Sequence, residues 1–82
     1  MNKIELNIYN WIKKKEKNVN LTQNLITNNI IDSFDMMELI IFCEKDFKIR
    51  FNEKDLINKN FTSIKKIASV ISKYKKQNLK NK

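Results

Sequence analysis

The chain has 82 residues, a formal net charge of +8 and 41% apolar residues, and it contains no glycine, proline or histidine. This length supports one small domain with a single core. The missing histidine excludes zinc sites of the common Cys/His type and histidine-dependent serine or cysteine catalysis, and the missing glycine excludes phosphate-binding loops of the Walker or dinucleotide type.

Nothing in the sequence predicts a membrane span. No run of about 18 apolar residues occurs, and residues 1–5 lack the apolar core of a signal peptide. We therefore expect a cytoplasmic protein, and a monomer as the simplest state.

The first predicted element is a helix over residues 2–15, because its apolar residues recur at helical spacing and form one stripe. They are Ile4, Ile8, Trp11 and Ile12. Residues 17–31 are rich in asparagine, which favours turns over a continuous helix. We expect a long loop here, with at most one short helical turn, whose leucine and isoleucine side chains attach it to the core.

The second predicted helix runs from Asp32 to about Asp46. Asp32 suits the N-cap position, where its carboxylate accepts hydrogen bonds from amides of the first turn. Ser33 follows at the start of the helix, where the positive end of the helix dipole favours a bound anion. The Ser33 hydroxyl is therefore well placed to carry a phosphodiester.

The apolar residues of this second helix cover much of its circumference, which is typical of a central helix in a small bundle. We expect five of them to face the core: Phe34, Met37, Ile40, Ile41 and Phe47. Asp35, Glu38 and Glu44 are expected to face mostly solvent. Met36 either packs at the edge of the core or is exposed as a docking contact, and Cys43 is expected to be a buried structural thiol.

Residues 47–51 alternate apolar and polar side chains, and without a second strand to pair with they are expected to form an extended connector. Asn52 can cap a short helix over residues 53–58. The last helix is predicted from Thr62, as N-cap, to about Lys75. Its expected core residues are Ile64, Ile67, Ala68, Ile71 and Tyr74. The pattern predicts an all-α domain over residues 1–76 and a disordered basic tail over residues 77–82.

Three segments of the sequence resemble the acyl carrier protein family over roughly residues 30–74. The first segment is Asp32-Ser33-Phe34 at a helix start, followed by Glu38-Leu39. The second is Phe47-Lys48-Ile49-Arg50-Phe51, followed by Glu53-Lys54-Asp55-Leu56. The third is Phe61-Thr62-Ser63-Ile64 at the start of the last helix. Their order matches that of the family. The chain departs from the family in having Lys48 where glycine is common and in lacking a proline near Asn52.

The resemblance implies a small four-helix carrier bundle, with three main helices, one short helix and a long first loop. It implies that Ser33 bears 4′-phosphopantetheine, which carries acyl or aminoacyl groups as thioesters. Asp32 would cap the helix and help present Ser33 to the transferase, and Asp35, Met36 and Glu38 would bind partner enzymes. The implied partners are a phosphopantetheinyl transferase, an acyl- or aminoacyl-loading ligase and downstream acyl-transfer enzymes.

The charge distribution is uneven along the chain. Residues 32–46 contain five acidic residues and one lysine, whereas residues 65–82 contain seven lysines and no acid. Members of the family are typically acidic, whereas this chain has a net positive charge. Its sequence around the serine, Ile30-Ile31-Asp32-Ser33-Phe34, also departs from that of housekeeping fatty-acid carriers. Both features are more similar to stand-alone carriers of specialised pathways.

Two other functions fit the composition. A small basic helical module that binds nucleic acid is the main alternative, since the net charge is +8 and the last helix is rich in lysine. The single arginine weighs against it, because arginine is the commonest base-reading residue. The second alternative is an interaction bundle without a prosthetic group. No acid–base constellation indicates an enzyme.

Overall fold

Three α-helices form the protein in the computed structural model, which describes residues 1–80, with side chains up to Gln77. They are α1 (Lys3–Lys13), α2 (Ser33–Phe47) and α3 (Ile64–Lys80), with two 3₁₀ turns, Glu53–Asp55 and Asn58–Phe61, between α2 and α3. Residues 1–80 contain no strand, so the all-α prediction is confirmed. Within the same range, no helix has both the length and the apolar composition needed to cross a bilayer.

Helix α1 begins at a capping box. The Asn2 side chain accepts a hydrogen bond from the Glu5 amide (2.8 Å), and the Glu5 carboxylate accepts one from the Asn2 amide (2.9 Å). These bonds satisfy amides that have no partner inside the helix. One turn apart on the inner face, Ile8 and Ile12 are fully buried, and α1 packs against α3.

Residues 14–32 form the long loop that the asparagine content predicts, and they contain no helix. Val19, Leu25 and Ile31 are buried and attach the loop to the core. Two backbone hydrogen bonds also join it to the start of α3: the Leu25 amide donates to the Thr62 carbonyl (2.7 Å), and the Lys65 amide donates to the Leu21 carbonyl (2.9 Å).

The face of α2 that packs in the core differs from the prediction. Leu39, Cys43 and Phe47 are buried and Ile40 is half-buried. Phe34, Met37 and Ile41 were expected in the core but are 66%, 61% and 51% exposed. At about 100° per residue, these two sets lie on nearly opposite sides of the helix. A helix that is apolar on most sides does not indicate from its own periodicity which side is buried, and here α1 and α3 decide it.

Substitutions on the two faces of α2 are expected to differ sharply in their effect on stability. Met37→Gln should change the free energy of unfolding by no more than about 0.5 kcal/mol, because the side chain is mostly exposed. Leu39→Ala should cost about 2–5 kcal/mol, because it leaves a cavity in the core. Urea denaturation of both variants measures the difference, and equal losses would contradict the observed orientation of α2.

Residues 49–52 form the extended connector that the alternating pattern predicts over residues 47–51, with Ile49 and Phe51 buried. Phe47 is instead the last residue of α2, and Lys48 has a left-handed backbone. In place of a partner strand, other groups accept hydrogen bonds from the amides of the connector. The Phe51 amide donates to the Glu44 carboxylate (3.0 Å), and the Asn52 amide donates to the Tyr74 hydroxyl (2.8 Å). Glu44 is therefore half-buried rather than mostly exposed as expected.

Lys48 caps the C-terminal end of α2. It has a left-handed backbone conformation (φ 56°, ψ 50°), and its amide donates a hydrogen bond to the Glu44 carbonyl. This conformation closes the last turn and is usually taken by glycine, because a Cβ atom is strained there. The structure thus shows a lysine at a position whose backbone favours glycine.

Lys48→Gly is expected to stabilise the fold by about 0.5–1 kcal/mol, because it relieves the left-handed strain by more than the added flexibility of the unfolded chain costs. Lys48→Ala is the matched control, since it removes the same charge but keeps the Cβ atom. The midpoint of urea denaturation should rise for the glycine variant alone. A glycine variant no more stable than the alanine variant would rule out strain at this position.

Helix α3 starts one residue later than predicted. Ser63, rather than Thr62, occupies the N-cap position: its hydroxyl accepts a hydrogen bond from the Lys66 amide (3.2 Å), and its side chain is buried rather than on the outer face. The helix continues to Lys80, five residues beyond its expected end. It includes the first four residues of the predicted tail, while residues 81 and 82 lie outside the described residues.

The segment between α2 and α3 contains two short 3₁₀ turns instead of one short helix over residues 53–58. Asn52 precedes the first turn, as predicted, but its side chain makes no capping hydrogen bond there. The second turn ends at Phe61, whose ring packs edge-on against Phe51 with centroids 5.6 Å apart. This aromatic contact holds the segment against the core.

Candidate functional site

Ser33 is the first residue of α2, and its side chain is exposed. A capping box fixes this helix start. The Asp32 carboxylate accepts a hydrogen bond from the Asp35 amide (2.8 Å), and the Asp35 carboxylate accepts one from the Asp32 amide (3.1 Å). The hydroxyl of Ser33 is therefore carried on a rigid helix end, next to amides that favour a bound anion.

Lys15 joins the end of α1 to this helix start. Its Nζ atom lies 2.8 Å from Asp35 Oδ1 and 5.3 Å from the centroid of the Trp11 ring. The hydrogen bond from Lys15 lowers the pKa of Asp35, and the Asp32 backbone amide lowers it further. The same hydrogen bond raises the pKa of Lys15. Asp35 was expected to face mostly solvent, but it is half-buried and paired with Lys15, whereas Glu38 is exposed as predicted.

An open cleft of about 610 Å³ lies beside Ser33. We call it the serine cleft. The long loop, the first turn of α2 and the second 3₁₀ turn contribute its walls, which are lined by Ile26, Asn29, Ile31, Asp32, Ser33, Met36 and Asn58. Met36 is half-buried in this wall and packs against the core. The lining combines apolar side chains with two neutral amides, the Ser33 hydroxyl and the Asp32 carboxylate.

Asparagine side chains shape the loop that leads into Ser33. Asn24 Oδ1 accepts hydrogen bonds from the amides of Ile26 (3.0 Å) and Thr27 (2.9 Å), and Asn29 has a left-handed backbone (φ 57°). Asparagine tolerates this conformation better than most residues. The asparagine-rich composition predicts such turns, but it does not reveal that Asn29 and Asn58 meet at one cleft.

Phe34, Met37 and Ile41 form an exposed apolar strip on α2, which we call the outer stripe. They follow one another at spacings of three and four residues, so they lie on one side of the helix. The stripe begins at the residue after Ser33, and the exposed Glu38 lies within the same stretch of α2. Their helical spacing predicted these three residues in the core, so the sequence did not reveal that they form an exposed surface.

Cys43 is fully buried, as predicted. Burial raises the pKa of its thiol to about 12, and the negative charges of Asp46 and Glu44 add to the effect. Because the thiolate is the reactive form of cysteine, this protonated thiol is unreactive at neutral pH. Among the residues that the structure describes, no group of three or more potential metal ligands comes together.

Removing the amine of Lys15 is expected to raise the pKa of Asp35 towards the ordinary aspartate value of 3.8. In the wild type, Asp35 has a lower pKa in the folded state than in the unfolded state. This difference stabilises the fold at pH values above the unfolded-state pKa, and the stabilisation is lost as the pH falls through the folded-state pKa. Lys15→Gln should lose less stability over that acidic range. An NMR titration of the Asp35 carboxyl carbon measures the shift directly.

Lys14→Gln is the control for this titration, because Lys14 is an exposed neighbour with the same charge. It should leave the pKa of Asp35 close to that of the wild type. Equal shifts in the two variants would mean that net charge, and not the Lys15–Asp35 contact, sets this pKa.

Comparisons of the chain with protein-family models, with curated proteins and with solved structures found no match.

Proposed function

We propose that the protein is a carrier that holds acyl or aminoacyl groups as thioesters on a 4′-phosphopantetheine arm attached to Ser33. The observation that supports this most is the placement of Ser33. Its side chain is exposed at the first position of α2, next to a capping box and at the edge of an open cleft.

The helix start suits the proposed modification electrostatically. A phosphodiester on Ser33 would lie near the positive dipole end of α2, which stabilises an anion. The Asp35 amide already donates to the Asp32 carboxylate, so the dipole end and the earlier amides of the first turn would provide this stabilisation. On a separate phosphopantetheinyl transferase, the Ser33 hydroxyl would lose its proton and attack the pantetheine-bearing phosphate of coenzyme A. The new phosphodiester bond would replace the diphosphate bond, and adenosine 3′,5′-bisphosphate would leave. Once attached, the arm supplies the thiol on which thioesters form.

The serine cleft has a lining that fits such an arm. Asn29 and Asn58 offer side-chain amides that can hydrogen-bond to amide groups, and Ile26, Ile31 and Met36 offer apolar contact to methylene groups. An arm fixed to a rigid helix end also keeps its cargo at a high effective concentration for successive enzymes.

Partner enzymes would bind the exposed side of α2 next to Ser33. Glu38 would supply a negative charge for basic partner surfaces, and the outer stripe would supply apolar contact. Met36 would contribute from the wall of the serine cleft. Asp35 would contribute less charge than its position suggests, because Lys15 already neutralises it at 2.8 Å. The partners on this proposal are the transferase, a loading ligase and downstream acyl-transfer enzymes.

The remainder of the fold is compatible with a small carrier bundle. The two 3₁₀ turns occupy the segment where the short helix of a four-helix carrier was expected. Lys48 has the left-handed backbone that favours glycine, which is compatible with the glycine that the resemblance leads one to expect there. The basic charge balance favours a stand-alone carrier of a specialised pathway.

The intact mass of the protein after incubation with coenzyme A and a broad-specificity phosphopantetheinyl transferase tests the proposal. The wild type should gain the mass of one phosphopantetheine group, and Ser33→Ala should gain none. Ser69→Ala is the matched control, because Ser69 is an exposed serine on α3, and it should be loaded like the wild type.

No mass gain in wild-type protein that circular dichroism shows to be folded would refute the carrier function with this class of transferase. Loading that persists in Ser33→Ala would refute the assignment of the attachment site.

A nucleic-acid-binding module is the second candidate. Five exposed lysines on α3 favour it: Lys65, Lys66, Lys73, Lys75 and Lys76. Binding of duplex DNA that weakens steeply with salt, together with an unmodified Ser33, would support this function over the carrier function.

A further inference from the structure

A second cleft, of about 400 Å³, lies between α3 and the two 3₁₀ turns that precede it. Three exposed lysines line it: Lys54 from the first turn, Lys59 from the second turn and Lys73 from α3. Asn52, Asn60, Tyr74 and Gln77 add polar groups to the lining. We call it the lysine cleft. Its volume falls in the range of about 300–1,000 Å³ that is typical of small-molecule sites.

Hydrogen bonds fix one side of the lysine cleft. The Tyr74 hydroxyl donates to the Asp55 carboxylate and accepts a hydrogen bond from the Asn52 amide (2.8 Å). The Asn60 side-chain amide donates to the Asp55 carbonyl (2.9 Å). The Tyr74 ring also packs edge-on against Phe51, with centroids 5.5 Å apart. These contacts connect α3 to the segment before it on the side of the cleft that Tyr74 and Asp55 form.

The charges of the lysine cleft leave a positive excess. Asp55 is the one carboxylate in a lining that includes three lysines, and it already accepts a hydrogen bond from Tyr74. Burial raises the pKa of Tyr74, and the Asp55 hydrogen bond raises it further, so the hydroxyl stays protonated as the donor at neutral pH. Two positive charges remain uncompensated, which matches a dianion.

We propose that the lysine cleft binds a small molecule that carries a phosphate monoester or a diphosphate. A phosphate monoester carries about −1.5 to −2 charges at neutral pH. A diphosphate carries more negative charge, and both groups accept several hydrogen bonds. Lysine ammonium groups bind phosphate as point charges, and the concave lining, with amides between the lysines, favours a compact ligand over an extended surface. The site is separate from Ser33, so it does not depend on the carrier function.

The test is a titration of ¹⁵N-labelled full-length protein with pyrophosphate, followed by amide chemical shifts. The amides of Asn52, Asn60 and Tyr74 are expected to shift saturably. Acetate at matched ionic strength should not reproduce these shifts. Replacing the three cleft lysines together (Lys54→Gln, Lys59→Gln and Lys73→Gln) should weaken pyrophosphate binding about tenfold.

The matched control carries Lys3→Gln, Lys45→Gln and Lys65→Gln, which remove the same charge from exposed positions outside the cleft. It should retain nearly all of the affinity of the wild type. If both triple variants bound pyrophosphate equally weakly, the affinity would depend on net charge alone, and the proposal would be overturned. The absence of saturable shifts in the wild type at millimolar pyrophosphate would also overturn it. The thermal transition of each variant verifies that the fold is intact.

Discussion

The position of Ser33 depends on the reciprocal hydrogen bonds between Asp32 and Asp35. They start α2 at a fixed residue, and Lys15 then joins Asp35 to the end of α1. Together these contacts link three successive parts of the chain, namely the first helix, the long loop and the second helix. The ion pair also takes the Asp35 carboxylate away from the exposed surface, so the negative charge near Ser33 comes mainly from the exposed Asp32 and Glu38.

Helix α2 is apolar on two opposite sides, and only one of them is covered. The side with Leu39 and Cys43 completes the core, while the outer stripe remains exposed beside the proposed attachment site. Contiguous exposed apolar surface on a small protein commonly marks an interaction site. The apolar composition of α2 therefore completes the core on one side and leaves an exposed apolar strip on the other.

The segment between α2 and α3 serves both clefts. Asn58 lines the serine cleft, and its neighbours Ile57 and Lys59 line the lysine cleft. The aromatic contacts of Phe51 hold this segment in place. The lysines that give the chain its unusual basic charge are thus not all diffuse surface charge, because three of them are brought to one concave site.

The sequence by itself determined the features that depend on neighbouring residues. The all-α class, the start of α2 after Asp32, the long asparagine-rich loop and the burial of Cys43 follow from local capping, turn and periodicity rules. Only the tertiary structure decided which side of α2 is buried, that Lys15 pairs with Asp35, and that Lys59 and Lys73 share a cleft. Each of these brings together residues that are distant in the chain, and local patterns carry no information about such distances.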